Sequence, residues 1–437
     1  MIPTSSFIAG AKGRLLPPSI IFRFFGAAVL FHVAMWLMLA LSADQLPGFA
    51  GGPGSILAAL HMLTLGVLAM TAIGAALQLL SVATKRPIRS FGMARLISWL
   101  YIPGVAILVF GMAAANNLAM FAGAGLTVLA LLIFGGLIGD NLRGTKGMGV
   151  TIAHCWAALL SLVAVIVLGL LLITDYGTTL LPNHGNAALA HLILASFGFM
   201  GLLAMGFSYL LVPMFTLARP PSDRVGFLAL THSTMGLAFG VTGALADADW
   251  LLALAAVAGL AGAGAHLWGM ARVYRARMRK RLGISFLLVR IGWASLPASL
   301  ILGFALAAGW SPDGGRALFG IAVLGGWLLT FLLGILQRII PFLASMHIPP
   351  TEGKPPTPAD LTRQTTLHIH AACHLTALIG LIVGVVLDYD LIVLGAALAG
   401  ATGSIAFAGF AGDVIRRLFP GRGQGQPATA ARFTKGH

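Results

Sequence analysis

Cysteine is nearly absent from this chain. Of 437 residues, only Cys155 and Cys373 carry a thiol. That excludes a disulfide framework, an iron–sulfur cluster and covalent CxxCH haem attachment. Charge is scarce too: Asp, Glu, Lys and Arg make up 9%, where a soluble domain carries about 25%. Acidic residues are scarcer than basic ones, 12 against 27 Lys and Arg, and all of them fall in loops or at the ends of apolar runs. No carboxylate sits in the middle of such a run, where proton- and sodium-coupled carriers and carboxylate-based pumps need one. Also missing are a phosphate-binding glycine loop, an HExxH pair and a Ser-His-Asp pattern in a workable setting.

The chain is instead 58% hydrophobic, with a mean hydropathy of +0.95. Apolar runs long enough to cross about 30 Å of hydrocarbon recur throughout. Twelve spans are expected, at 18–42, 55–83, 92–114, 117–138, 149–173, 186–216, 225–246, 249–271, 284–308, 315–345, 366–387 and 390–412. The first follows Lys12 and Arg14 and reads as a retained span rather than a cleaved signal. Of the 27 Lys and Arg, 26 fall on the side of the termini and the even-numbered loops, and only Arg316 does not. The positive-inside rule then places both termini in the cytoplasm of a bacterial inner membrane. The net charge of +15 is accounted for by basic inner loops against anionic lipid. It does not call for a nucleic-acid partner, even in RVYRARMRKR.

The fold class is all-α, a polytopic membrane protein forming one membrane domain over 1–437. An internal repeat organises it. HMLTLGVLAMTAIGAALQLLSV, LASFGFMGLLAMGFSYLLVPMF and AVLGGWLLTFLLGILQRIIPFL align with Gly66, Gly198 and Gly326 matched. Gly74, Gly206 and Gly334 follow at one common spacing, and Ser81, Pro213 and Pro341 at another. Each segment is the second span of a group of four, giving three pseudo-symmetric four-helix repeats at 18–138, 149–271 and 284–412. The 56 glycines suit closely packed membrane helices. The cytoplasmic tail, 413–437, is polar and Gly-rich, with the composition of a disordered segment.

Twelve histidines are present, and nine lie within or at the ends of spans, where ionisable residues mark function. His61 and His191 lie at similar depth below the ends of the second and sixth spans. His32 is near mid-span. His154, His232, His266, His368, His370 and His374 lie toward the side of the termini, His368 at the very edge. His370 and His374 share a helix face. Neutral imidazole ligates haem iron and copper, and histidines from facing helices at one depth can clamp a haem. His154, His232, His266, His370 and His374 are the candidates for an inner haem or copper site. Met35, Met235, Cys155 and Cys373 stand next to histidines as soft donors, with His232, Met235, His370, His374 and Cys373 the candidate copper set. A cofactor-free carrier or channel is the alternative, using helix breaks at Pro213 and Pro341 with Gln78, Tyr209, Gln337 and Arg338. A copper-handling factor is the third.

FRFFGAAVLFH on the first span, with Arg23, Phe24 and Phe25, resembles the R-P-F-F start of the NnrS family. These are twelve-span bacterial membrane proteins containing haem and copper and linked to nitric oxide. Twelve spans in three four-helix repeats also resemble subunit I of the haem-copper oxidases. The H-x-H-x4-G opening of the NnrS second span is divided here between His61 with Gly66 and His191 with Gly198. The resemblance implies non-covalent haem b on His61 and His191. It also implies a role in nitric oxide response or membrane electron transfer, with nitric oxide or a redox partner engaged. The chain departs from the oxidases at Phe319 and Ile321, where they carry H-x-H, and at Ala195, where H-x-x-x-Y would place its tyrosine. An oxygen-reducing centre of the standard kind is therefore not expected.

Overall fold

A computed structural model describes residues 12–310, 312–348 and 356–419. Twelve of its helices are long and apolar enough to cross a membrane, and among the described residues there is no strand. They are α1 (Pro18–Leu41), α2 (Ser55–Ala83), α3 (Phe91–Ala113), α4 (Asn117–Arg143), α5 (Gly149–Thr178) and α6 (His184–Thr216). The second half comprises α7 (Asp223–Leu245), α8 (Asp249–Arg275), α9 (Gly283–Ala307), α10 (Gly315–Ser345), α11 (Gln364–Val386) and α12 (Asp390–Leu418). Each begins where expected or within a turn of it. Four run on beyond the expected ends, α4 to Arg143, α5 to Thr178, α8 to Arg275 and α12 to Leu418. Hydropathy ends a span at its first charges, but the backbone ladder continues into water. Thus 413–418 is helix, and 420–437 of the expected tail lies outside the described residues.

Local chemistry sets the helix starts. Pro18 opens α1, where no helical N–H is lost. Ser90, Asn116 and Asn183 cap α3, α4 and α6, their side-chain oxygens accepting from the amides of Met93, Ala119 and Asn186.

Three helices form the centre. In α2, 72% of the apolar window is buried, against 22% in α5. The rest of the centre is α6 and α10, and α1, α5 and α9 pack along the three. The remaining helices form antiparallel hairpins, α3 with α4, α7 with α8 and α11 with α12.

Each hairpin turns the same way. The amides of Asn116, Ala248 and Tyr389 bond back to the carbonyls of Gly111, Gly243 and Gly384 at 2.8, 2.8 and 2.9 Å. The preceding amides of Ala115, Asp247 and Asp388 bond to Met112, Ala244 and Val385. This is the Schellman arrangement. It puts Ala115, Asp247 and Asp388 in left-handed backbone, with φ of 49°, 53° and 48°. Asp tolerates that region better than Ala. Ala115→Gly is therefore expected to stabilise the protein by about 0.5–1 kcal/mol, and Asp247→Gly by less. Thermal unfolding of the two variants in one detergent checks the order.

The three central helices each contain a π-helical stretch, Met62–Ala69 in α2, Leu194–Gly201 in α6 and Ile321–Leu329 in α10. Each enclosed glycine, Gly66, Gly198 or Gly326, lies inside its stretch. Such wide turns concentrate at functional sites. Pro213 and Pro341 lie inside α6 and α10, which run through them. The helix breaks that a carrier would use are not formed there.

Candidate functional site

The π stretches of α2, α6 and α10 converge, and a cavity of about 1520 Å³ lies around them. Its rim is built from the loops opposite the termini, including Leu46–Gly52, Asn183–Asn186 and Pro312–Arg316. His61 and His191 both line it, on α2 and α6. The matched depth read from the sequence thus becomes a shared cavity.

Both rings are held from behind. His61 Nδ1 lies 3.0 Å from the Leu57 carbonyl. That bond fixes the proton on Nδ1 and leaves the Nε2 lone pair available, the usual preparation of a ligating imidazole. His191 backs onto α5, where its Cε1 lies 3.2 Å from the point at which Gly169 would carry a Cβ. Its Nδ1 is buried without a partner.

The wall between α6 and α10 is aromatic. Phe197 packs against Trp327 at 5.3 Å and Phe319 at 6.5 Å between ring centroids, both at 31°. Phe319, which the sequence aligns with His191, supplies a ring to this wall. At the rim, Arg316 is exposed and has no ion pair among the described residues. Asp247, Asp249 and Asp313 also line the cavity. His184 is held apart on the rim, 2.8 Å from Asp175 and over the Tyr176 ring.

The five inner histidines do not form one site. His154 of α5 and His266 of α8 lie either side of Tyr209 on α6, with ring centroids 5.4 and 5.3 Å from it. The His266 Nδ1 is 3.2 Å from the Tyr209 hydroxyl, and His154 Nδ1 is 2.8 Å from the Val150 carbonyl. His370 and His374 of α11 instead join His32 of α1. The His370 ring lies 6.3 Å from His32 and 6.0 Å from His374. His232 stands alone on a partly exposed face of α7, bonded to the Leu228 carbonyl. Hydropathy gives depth along a helix but not direction around the bundle, and direction separates these groups.

The copper donors do not assemble either. Met235 is 41% exposed beside His232. Cys373 lies against Gly403 of α12, and Cys155 is buried on α5. Among the described residues, no three His, Cys, Asp or Glu stand close enough to hold a metal ion. The residues present do not fit a copper centre of that kind.

The polar residues assigned to a carrier path each make an internal bond, although Gln78 Nε2 and Gln337 Oε1 have no partner. The Gln78 amide oxygen accepts from the Leu16 amide at 3.0 Å. Arg338 donates to Ser285 Oγ and the Leu282 carbonyl. Gln337 and Tyr209 each partner a histidine. Two partners have no signal in histidine depth alone, Trp36 and Thr330. Trp36 follows His32 by one helical turn, which is the pattern that could have revealed it. No family model matches the chain, and neither does any curated protein.

Proposed function

We propose that the cavity is a haem b site, in which His61 and His191 would hold the iron. The protein is then a membrane haem protein of electron transfer or nitric oxide handling. The observation that carries this reading is the pairing itself. Two imidazoles from different helices line one large cavity, one with its Nδ1 engaged by a carbonyl and the other with a buried Nδ1 lacking a partner. The aromatic wall of Phe197, Phe319 and Trp327 suits a flat macrocycle, and the Arg316 guanidinium at the rim suits its carboxylates. Bound haem would supply one-electron chemistry. The chain's own part is to orient the two rings, line the macrocycle with the aromatic wall and offer Arg316 to its carboxylates. Copper is not included, because its donors stand apart.

The same reading takes the chain as three four-helix repeats, supported by the matched π stretches and Schellman turns. It sets both termini in the cytoplasm on the distribution of Lys and Arg. A redox partner or nitric oxide would reach the cavity from the periplasmic side, where its rim then lies.

A dithionite-reduced minus oxidised spectrum, with iron and copper analysis of the same purified sample, tests the proposal. A b-type α-band with about one iron per chain and no copper is expected. A colourless, iron-free protein would overturn it and return the cavity to a carrier of some apolar ligand.

A further inference from the structure

The mechanism above leaves unused a buried polar cluster on the side of the cavity toward the termini. His32, His370 and His374 are 2%, 0% and 3% exposed, and Gln337 is 2% exposed. Four of their polar atoms have no partner: His32 Nδ1, His370 Nε2, His374 Nδ1 and Gln337 Oε1.

The partners of the other atoms fix what each orphan is. An indole N–H can only donate. Trp36 donates to His32 Nε2 at 3.1 Å, so the His32 proton sits on Nδ1. The Gln337 amide N–H donates to His370 Nδ1 at 3.2 Å, so the His370 proton sits on Nε2. The Thr330 hydroxyl donates to the Gly325 carbonyl at 2.7 Å. It must then accept from His374 Nε2 at 2.8 Å, which leaves His374 Nδ1 with a bare lone pair. The orphans are therefore two donors, on His32 and His370, and two acceptors, on His374 and Gln337.

A water molecule offers the complement, two lone pairs and two O–H groups. Buried waters make two to four such bonds, whereas each orphan left dry costs about 1–3 kcal/mol. We propose that these residues enclose an internal water and form a proton-exchange site open to the cavity alone. His374 lines the cavity and is the way in. A proton from the cavity side passes along the His374 edge to the internal water, which hands it to His374 Nδ1. Thr330 holds that ring, and the internal water lies between it and the donors on His370 and His32. Toward the termini the way is shut. Phe407 covers His370 at 4.8 Å, Phe410 stands behind it at 5.7 Å, and Leu367 is buried one turn below.

No fixed charge on the surrounding helices competes. Arg23 of α1 is turned to Ser98 and Trp99. Arg338 of α10 is bonded to Ser285 and Leu282. Asp413 of α12 is held by Arg363, Arg416 and Arg417, and Cys373 faces Gly403. The three imidazoles are the only groups in the cluster that can take a proton. The site needs no prosthetic group, so it stands whether or not the cavity holds haem.

The test is water-edited solid-state NMR of the full chain, labelled with ¹⁵N-histidine, in lipid nanodiscs. His368, at the exposed end of α11, is the wet reference. His266, 2% exposed and bonded through Nδ1 to the Tyr209 hydroxyl, is the dry one. His370 and His374 are expected to receive water magnetisation several times faster than His266, with Gln337→Leu slowing the transfer. His32→Gln, His370→Gln and His374→Gln assign the signals by their loss. If one fails to fold, the number of water-contacting imidazoles in the unmodified chain still decides. Signals as dry as His266 would overturn the proposal. In uniformly oriented vesicles, an acid jump on the cavity side should shift the His374 signal and one on the terminal side should not; the reverse would overturn the sidedness.

Discussion

Alanine at His61 or His191 should each strip the protein of most of its haem, whereas His232→Ala should leave the spectrum unchanged. Removing even a residue that only orients a metal ligand costs about 10–100-fold in affinity, so loss of the ligand should exceed 100-fold. The Soret absorbance per protein, read after purification and again after adding haemin, measures it. The two residues are not equivalent in support. His61 is oriented by the Leu57 carbonyl, which no side-chain substitution removes. His191 depends on the close approach of α5, where Gly169 leaves room for the ring. Gly169→Leu is therefore expected to mimic His191→Ala in part, with no equivalent substitution behind His61. His232 is the suitable control because it shares the chemistry but lies outside the cavity. Unchanged spectra in both His61→Ala and His191→Ala would remove both residues as haem ligands.

The largest loss of stability is expected at Gly123, where α4 meets α3. A Cβ there would meet the Leu108 backbone and come 2.8 Å from the Gly104 carbonyl. Backbone cannot move aside as a flexible side chain can. Gly123→Val should therefore cost at least about 3 kcal/mol, at or beyond the upper end for overpacking. Gly125, two residues on, has nothing within 4 Å of its Cβ position. Gly125→Ala should change stability by less than about 0.5 kcal/mol, as for an ordinary surface substitution. Melting midpoints of both variants in one detergent, followed by size exclusion, decide the matter. Equal midpoints would mean that the α3–α4 hairpin yields more than its glycines suggest.

The helices were legible because hydropathy and length are local properties, and α2 and α10 match the reading at both ends. The depth of His61 and His191 was legible for the same reason. The way the inner histidines divide was not. His154 and His370 occupy similar depths, but α5 packs on α6 whereas α11 pairs with α12, and no spacing within a helix encodes that choice. Phe319 shows the opposite case. The sequence alignment set it level with His191, yet its contribution as part of an aromatic wall with Phe197 and Trp327 needed the neighbouring helix.

The site is sensitive to chain length everywhere along α2 except in its π stretch. A π turn is an α-helix that has taken in one extra residue, and one residue of α-helix corresponds to about 100° of rotation. Deleting a single residue from Met62–Ala69 would let α2 return to regular winding with its two ends still in register. Deleting one from the regular helix between Met70 and Leu77 would instead swing His61 by about a quarter-turn relative to the half anchored near Gln78. The composition of the membrane span would hardly change, and it would insert as before. The imidazole, however, would face a neighbouring helix instead of the cavity. In this bundle, the aim of a side chain is set by counting residues as much as by choosing them.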